Sequence, residues 1–398
     1  MKKTFKNSKG ITLIALVITI IILQILAGIS ISALSQTGLF GKAKEAKQKS
    51  TNAQKEENIT LGTYENEIDK YGGEKTENKD DKPKEKFKGT TVAEAIKYGD
   101  VLNEKSNTEL KDEKGNKIVV PAGFKITKDA TTVDKGIVIE DATETATKGS
   151  QFVWIPVSKD NNDKITKADG TQFVNKLGRY DFDETTGAES AYSGSYVEED
   201  ANEPSTLKNL GNTIAKNITN FKNSVAANGG YYIGRYEART TTARSNKNDE
   251  LTQITEKGTD SVYNYVTQIQ AASKAQGMYT SDKFTSDLMN SYAWDTATLF
   301  LQTCGADKYS IKTSVNTSLA SKGTNASDYT GERDNVCNVY DMSSNIREWT
   351  TETSYDSYSP CVDRGGSCSS SNLYTSDRSY FNTSGSGDRI GFRPLLYL

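Results

Sequence analysis

Histidine is absent from the 398-residue chain, and cysteine occurs only four times. The first absence excludes catalysis by imidazole, catalytic triads that use histidine, and zinc or iron sites that need imidazole ligands. The low cysteine count excludes a disulfide-rich scaffold. No charge sign dominates, since 49 Lys and Arg residues stand against 52 Asp and Glu residues. Four of the lysines lie in the first ten residues, so the remaining chain is net acidic, which argues against a nucleic-acid partner.

One long uncharged run occupies residues 11–34, ITLIALVITIIILQILAGISISAL. A helix of this length spans about 36 Å, enough to cross a hydrocarbon core of about 30 Å. The basic decapeptide before it predicts that the lysines stay in the cytoplasm and that the rest emerges outside. The sequence therefore predicts a cell-membrane protein with an extracellular C-terminal domain, or one displayed on the cell surface or a pilus.

The first 50 residues resemble type IV prepilins, in which a short Lys-rich leader ends in glycine before an apolar helix. The resemblance implies that a prepilin peptidase cleaves between Gly10 and Ile11 and that the new N-terminus is methylated. Ala15 stands where most pilins have a glutamate that faces a neighbouring subunit, so assembly with other pilin subunits is left open. We divide the chain into a leader (1–10), a transmembrane or pilin-like helix (11–35), a helical stalk (36–71), a charged linker (72–89) and a globular head (90–398).

The head alternates short β-type runs with turn clusters, whereas apolar residues at helical spacing are confined to 261–276 and 290–303. This pattern favours an α+β head. Trp154, Trp294 and Trp349 are interpreted as core aromatics. The strongest strand predictions are 117–126, 135–141, 149–158 and 229–239.

Three ordered motifs, NVYDMSSNIREW (338–349), DRGGSC (363–368) and DRIGFRP (388–394), resemble the formylglycine-generating, sulfatase-modifying family. That family has a variant of the C-type lectin fold, and the resemblance implies a loop-rich head with a small sheet and two helices. The predicted fold class is thus α+β, with a single N-terminal transmembrane helix followed by a C-type lectin-like domain. Arg364 and Arg393 are interpreted as structural donors to carbonyls or to carboxylates such as those of Asp341 or Glu348.

The family resemblance also bears on cofactors. Asn345, Ile346 and Glu348 overlie one of its calcium sites, which implies either calcium or, because Ser344 replaces the family glycine, a hydrogen-bonded loop. No other cofactor is expected. The cysteine pair that binds copper in the oxidases is missing, since no cysteine follows Cys368. We therefore expect no enzymatic activity.

The cysteines at 304, 337, 361 and 368 all lie in the head, which the predicted topology places outside the cell, where disulfides persist. Short separations favour Cys304–Cys337 and Cys361–Cys368, and free thiols are the alternative in reducing surroundings.

The segment 368–389 alternates Ser, Asn, Thr and Gly with aromatic residues, a composition similar to that of antibody recognition loops. Placed between the R-G-G-S and G-F-R motifs, it also resembles the variable region of diversity-generating retroelement target proteins. A solvated loop is the alternative interpretation. The predicted ligand contacts are Ser371, Asn372, Tyr374, Ser376, Arg378, Tyr380, Phe381 and Asn382.

Taken together, these patterns favour a membrane-anchored, pilin-like surface protein whose head binds an extracellular protein or glycan, as an adhesin or receptor does. A structural minor pilin or pseudopilin, of a type IV pilus or a type II secretion-like system, is one alternative. A formylglycine-generating-type oxidase is a second alternative, and it requires Cys368 to pair with a distant cysteine to bind copper.

Overall fold

The computed structural model of the chain describes residues 86–198, 217–311, 334–356, 358–368 and 373–398. Four α-helices lie in this part of the chain: α1 (Val92–Tyr98), α2 (Ile218–Asn228), α3 (Gln268–Gln276) and α4 (Ser291–Cys304). A 3-10 turn covers Val133–Lys135. The twenty strands of the described residues are β1 (Thr108–Lys111), β2 (Lys117–Val120), β3 (Phe124–Ile126), β4 (Val138–Asp141), β5 (Gln151–Pro156), β6 (Ile165–Thr166), β7 (Gln172–Phe173), β8 (Tyr180–Phe182), β9 (Glu189–Ala191), β10 (Gly230–Gly234), β11 (Arg239–Thr240), β12 (Ser261–Val262), β13 (Thr285–Leu288), β14 (Asn335–Val336), β15 (Val339–Tyr340), β16 (Arg347–Thr353), β17 (Cys361–Arg364), β18 (Arg378–Phe381), β19 (Ile390–Phe392) and β20 (Pro394–Tyr397).

The largest sheet has six strands in the order β13-β20-β10-β5-β4-β3, with every neighbouring pair antiparallel. Successive side chains of a strand point to opposite faces, so β5 contributes to two separate apolar clusters. Phe152 and Trp154 belong to the first cluster, and Val153 and Ile155 belong to the second. This sheet is the apolar centre of the described domain.

A second sheet has four strands in the order β18-β17-β16-β19. β16 pairs antiparallel with β17 and parallel with β19, and β17 pairs antiparallel with β18. All seven residues of β16 are buried although its sequence, REWTTET, is almost wholly polar. The strand β18 forms one edge of this sheet.

The helices begin at side chains that satisfy free backbone N–H groups. The side chain of Asn290 accepts a hydrogen bond of 2.9 Å from the Ala293 N–H at the start of α4, and α1 and α3 each begin with a capping box. The helix α4 buries ten of its residues, and Trp294 packs in the second apolar cluster. Its buried face holds Asp295 directly beside the four-stranded sheet, where Asp295 contacts Arg364.

The structure corrects the predicted fold class. We predicted an α+β chain with one membrane-spanning helix and a lectin-like head with a small sheet and two helices. The described residues instead form a strand-rich domain of seven sheets, five of them two-stranded, with four short helices. None of those helices has the length and apolar character needed to span a membrane. The prediction failed because the turn-rich runs of the head pair locally into several separate small sheets.

Some local predictions are confirmed. The four strand segments contain β2 to β5 and β10. The helical segment 261–276 is helical from Gln268 onward, and α4 covers the segment 290–303 from Ser291 and extends one residue beyond it. All three tryptophans are fully buried. The predicted leader, membrane helix and stalk, and most of the charged linker, lie outside the described residues.

Candidate functional site

Large apolar side chains are exposed at only one place among the described residues. They are Tyr355, Tyr358, Tyr380 and Phe381, which we call the aromatic surface. Tyr358 is 85% exposed and Tyr380 is 50% exposed. All four residues lie at the same end of the four-stranded sheet.

Strand register explains this clustering. Thr353 of β16 pairs with Cys361 of β17, which pairs in turn with Phe381 of β18, so these residues form the last row of the sheet. Tyr355 and Tyr358 occupy the turn that joins β16 to β17 just beyond this row. The turn is closed by a 2.9 Å hydrogen bond from the Ser354 N–H to the Pro360 carbonyl.

Two aromatic contacts anchor the surface to the domain. The ring of Phe381 packs edge-on against Trp349, with the ring centroids 6.0 Å apart. Trp349 is fixed in turn by a 2.8 Å hydrogen bond from its Nε1 to the Val266 carbonyl. On the other face of β18, Tyr380 lies 6.3 Å from the ring of Tyr196. The half-buried Tyr196 therefore extends the aromatic surface.

A buried cluster of charges lies beneath these rings. It consists of Arg179, Asp295, Glu352, Arg364 and Arg378, which we call the ion network. Asp295 receives one hydrogen bond of 2.6 Å from Arg364 and another of 2.6 Å from Arg378. Glu352 contacts all three arginines. The network therefore links α4, β16, β17 and β18 to the Arg179 segment.

Electrostatics keep Glu352 ionised in this network. Burial alone opposes the charge, but the guanidinium groups of Arg378, Arg364 and Arg179 outweigh it, and the pKa of Glu352 lies below its ordinary value. The ring of Tyr192 covers two of these cations, with the guanidinium carbons of Arg179 and Arg378 at 4.3 Å and 4.2 Å from its centroid. Arg179 and Arg378 are thus held both by buried carboxylates and by the ring of Tyr192.

The predicted ligand contacts divide into four groups. Tyr380, Phe381 and Asn382 are exposed, and the first two belong to the aromatic surface. The side chain of Arg378 points into the ion network. Ser371 and Asn372 lie outside the described residues.

Tyr374 and Ser376 form the fourth group and belong to the turn that leads into β18. The Tyr374 N–H donates to Asp377 at 2.8 Å, and the Ser376 N–H donates to the Ser310 carbonyl at 3.2 Å. Tyr374 is half-buried. These contacts fix the start of β18.

Sequence analysis missed Tyr196, Tyr355 and Tyr358. The signal for the last two was available, because TSYDSYSP places two tyrosines in a Ser- and Asp-rich turn. The predicted contacts lie between the R-G-G-S and G-F-R motifs, whereas this turn precedes the first of them. Tyr196 joins the surface only through tertiary contact, which no local pattern shows.

The predicted calcium ligands are engaged in other contacts. Glu348 forms two hydrogen bonds with Arg393, at 3.1 Å and 2.6 Å, which confirms the structural interpretation of that arginine. The Asn345 side chain and the Ile346 N–H both donate to the carboxylate of Glu237, at 2.5 Å and 3.1 Å. Among the described residues, no group of three or more acidic, Cys or His side chains is arranged to hold a metal. The side-chain oxygen of Asn345 is buried and has no hydrogen-bond partner among the described residues, and calcium binding at this loop stays a prediction.

The four cysteines are free thiols, so the structure contains neither predicted disulfide. Burial raises the pKa of Cys337 to about 12 and that of Cys361 to about 12, which disfavours their reactive thiolate forms. Burial raises the pKa of Cys304 and of Cys368 as well.

Known proteins show only a weak similarity to this chain. No protein-family model matches the chain, and no similar curated protein was found. Among solved structures, the chain is similar to "Treponema denticola variable protein 1", with 14% sequence identity over 43% of this chain and 85% of that one, at a TM-score of 0.30. A likeness at this score supports no argument about fold or function.

Proposed function

We propose that the described domain is a ligand-binding module and that the aromatic surface is its contact area. The observation that carries the proposal is the concentration of the exposed large apolar residues of the described chain at one end of one sheet. Single exposed apolar residues are ordinary, but a cluster of them is typical of a recognition site. Tyrosine suits this role because it offers apolar area, a hydroxyl and few rotatable bonds.

The ion network supports the same proposal. Binding is weakened when side chains and loops must be ordered at the interface. Here β18 is already held by the contacts of Arg378 with Asp295 and Glu352, and Phe381 already rests on Trp349. A ligand therefore meets a preformed surface.

The proposal assigns no catalytic step and no metal or other cofactor to the domain. The ligand is proposed to be an extracellular protein or glycan. We also propose display outside the cell after cleavage between Gly10 and Ile11 by a prepilin peptidase, which rests on the leader sequence alone. N-terminal sequencing of the surface-exposed protein tests this part, and a chain that retains Met1 contradicts it.

The binding proposal is tested with two probes, an array of immobilised glycans and a displayed library of random linear peptides. The full-length protein is compared with the double variant Tyr358→Ala/Tyr380→Ala. We expect the variant to lose binding to whichever probe the natural protein recognises, because most of the exposed ring area is removed.

Tyr98→Ala is the matched control. Tyr98 is a half-buried tyrosine of α1 that packs on Phe87, remote in the sequence from the four-stranded sheet. Its replacement is expected to leave probe binding unchanged. Equal binding by the double variant and the natural protein contradicts the proposal.

A further inference from the structure

Among the described residues, the edge strand β18 presents unpaired main-chain groups beside the aromatic surface. In an antiparallel pair, residues alternate between those that exchange hydrogen bonds with the neighbour and those that face away. The Gly365 N–H donates to the Asp377 carbonyl, which sets the phase of this alternation between β17 and β18. Ser379 and Phe381 therefore bond to β17, and the N–H and C=O groups of Arg378 and Tyr380 point outward.

The same phase fixes the main-chain groups of β17. Arg364 stands opposite Arg378 on one side and Glu348 of β16 on the other, and its main-chain groups face β16. Within the described residues, no strand lies beyond β18, and no main-chain hydrogen bond uses the outward groups of Arg378 or Tyr380.

We propose that the ligand of the aromatic surface is an extended peptide segment that adds to β18 as a fifth strand. This inference rests on the proposed function and names its ligand class. The outward N–H and C=O groups of Arg378 and Tyr380 lie two residues apart on one strand, a spacing of about 7 Å that another extended main chain matches. An extended segment of a protein partner can bond to the main-chain groups of β18 and pack on the neighbouring rings at the same time.

The side chains of β18 indicate which side chains such a peptide needs. Tyr380 lies on one face of the sheet with Tyr196, and Phe381 lies on the other face over Trp349. Because side chains of an added strand also alternate between faces, apolar residues of the peptide meet rings on both sides. The expected ligand is therefore a segment rich in β-branched and aromatic residues.

Two substitutions at one position separate main-chain from side-chain recognition. Tyr380→Ala removes the ring and keeps the outward N–H, whereas Tyr380→Pro removes both. Proline is tolerated at an edge position whose N–H makes no bond within the sheet, so the pairing of β18 with β17 is retained. Full-length proteins are compared for affinity toward peptides selected from the random linear library.

We expect Tyr380→Pro to bind the selected peptides about tenfold more weakly than Tyr380→Ala, because at least one main-chain hydrogen bond is lost. Equal affinities of the two variants overturn the proposal. Amide hydrogen exchange on the natural protein gives an independent readout that needs no variant. Added peptide is expected to slow exchange at Arg378 and Tyr380, and unchanged exchange there overturns strand addition.

The other possible results distinguish failure of the peptide ligand from failure of the proposed function. Recognition of glycans but not peptides, lost in Tyr358→Ala/Tyr380→Ala, upholds the proposed function and overturns the peptide ligand. Dimerisation of the full chain that Tyr380→Pro abolishes makes a second copy the occupant and also overturns it. If binding to neither probe depends on the aromatic surface, the proposed function itself fails.

Discussion

The six-stranded and four-stranded sheets each have a buried central strand, but the two strands differ in composition. β5 reads QFVWIP and is buried among apolar side chains, whereas β16 reads REWTTET and is buried among charges and threonines. Apolar side chains pack stably when their volume and shape fill the available space, whereas a buried charge also needs a partner at a suitable distance and angle. The geometry of the four-stranded sheet is thus more tightly constrained than that of the six-stranded sheet. The four-stranded sheet also carries the aromatic surface.

This difference has a consequence for recognition. Each arginine of the ion network fixes a particular strand or segment, so the edge strand β18 is held by directional contacts. The six-stranded sheet has both faces covered by apolar clusters. One sheet stabilises the domain, and the other positions the proposed site.

Trp154→Ala tests the apolar sheet and has the largest expected effect. Trp154 is fully buried, and its ring lies 4.9 Å from that of Tyr232. We expect the free energy of unfolding to fall by about 4 kcal/mol, because a large cavity opens at the centre of the sheet. Urea unfolding followed by circular dichroism measures it. Trp154→Phe is the control and is expected to cost less, since Nε1 of Trp154 has no hydrogen-bond partner to lose.

Glu352→Gln tests the ion network and is expected to lower the free energy of unfolding by about 3 kcal/mol. The change leaves three arginines around an uncharged amide whose N–H groups face other donors. The control is Glu109→Gln on the surface pair with Lys117, where a change of about 0.5 kcal/mol is expected. Equal effects of the two substitutions contradict the contrast between the sheets.

The pH dependence of Glu352 sharpens this test. Its folded-state pKa lies below the ordinary value of 4.5, so its ionised form stabilises the fold above that pH. This contribution is lost as the pH falls from 4.5 through the folded-state value. The difference in unfolding free energy between the natural protein and Glu352→Gln should therefore shrink on acidification.

Glu256→Gln is predicted to have the opposite sign and a smaller size. Glu256 is fully buried beside β10, and no side chain of the described residues forms an ion pair or a hydrogen bond with its carboxylate. Burial raises its pKa well above 4.5 despite the nearby Arg393 and Arg239. Its charge therefore disfavours the fold as the pH rises above 4.5, and the glutamine variant is expected to be about 1 kcal/mol more stable at neutral pH. Unfolding at several pH values measures this, and a variant that is less stable throughout contradicts it.

The parts of the fold that sequence predicted are those where local pattern and burial agree. The run around Trp154 is apolar on both faces, and α4 follows a capping residue and shows helical spacing, so both were recognisable. β16 was not recognisable as a buried strand, because six of its seven residues are Glu, Arg or Thr, which are ordinarily exposed to water. Its burial depends on Arg364 and Arg378, which come from later strands.

The candidate site was half predictable for the same reason. Tyr380 and Phe381 were identified from composition, but Arg378 was placed among the ligand contacts although its guanidinium is buried against Asp295 and Glu352. An arginine in a Ser- and Tyr-rich segment resembles a contact residue until the carboxylates facing it are known. Tertiary pairing, which the segment itself does not encode, decides which side chains face outward.

Tyr358→Ser has the smallest expected effect on stability. It separates residues that stabilise the domain from residues that contact the ligand. Tyr358 is 85% exposed in the turn after β16, so its replacement should change the free energy of unfolding by no more than about 0.5 kcal/mol. The same variant should bind selected peptides measurably more weakly, because the ring is part of the proposed contact area. Thermal unfolding and peptide titration of one preparation measure both quantities. A loss of stability comparable to that of Glu352→Gln would mean that this ring belongs to the core of the sheet, and the division between a stabilising interior and a recognising end would then fail.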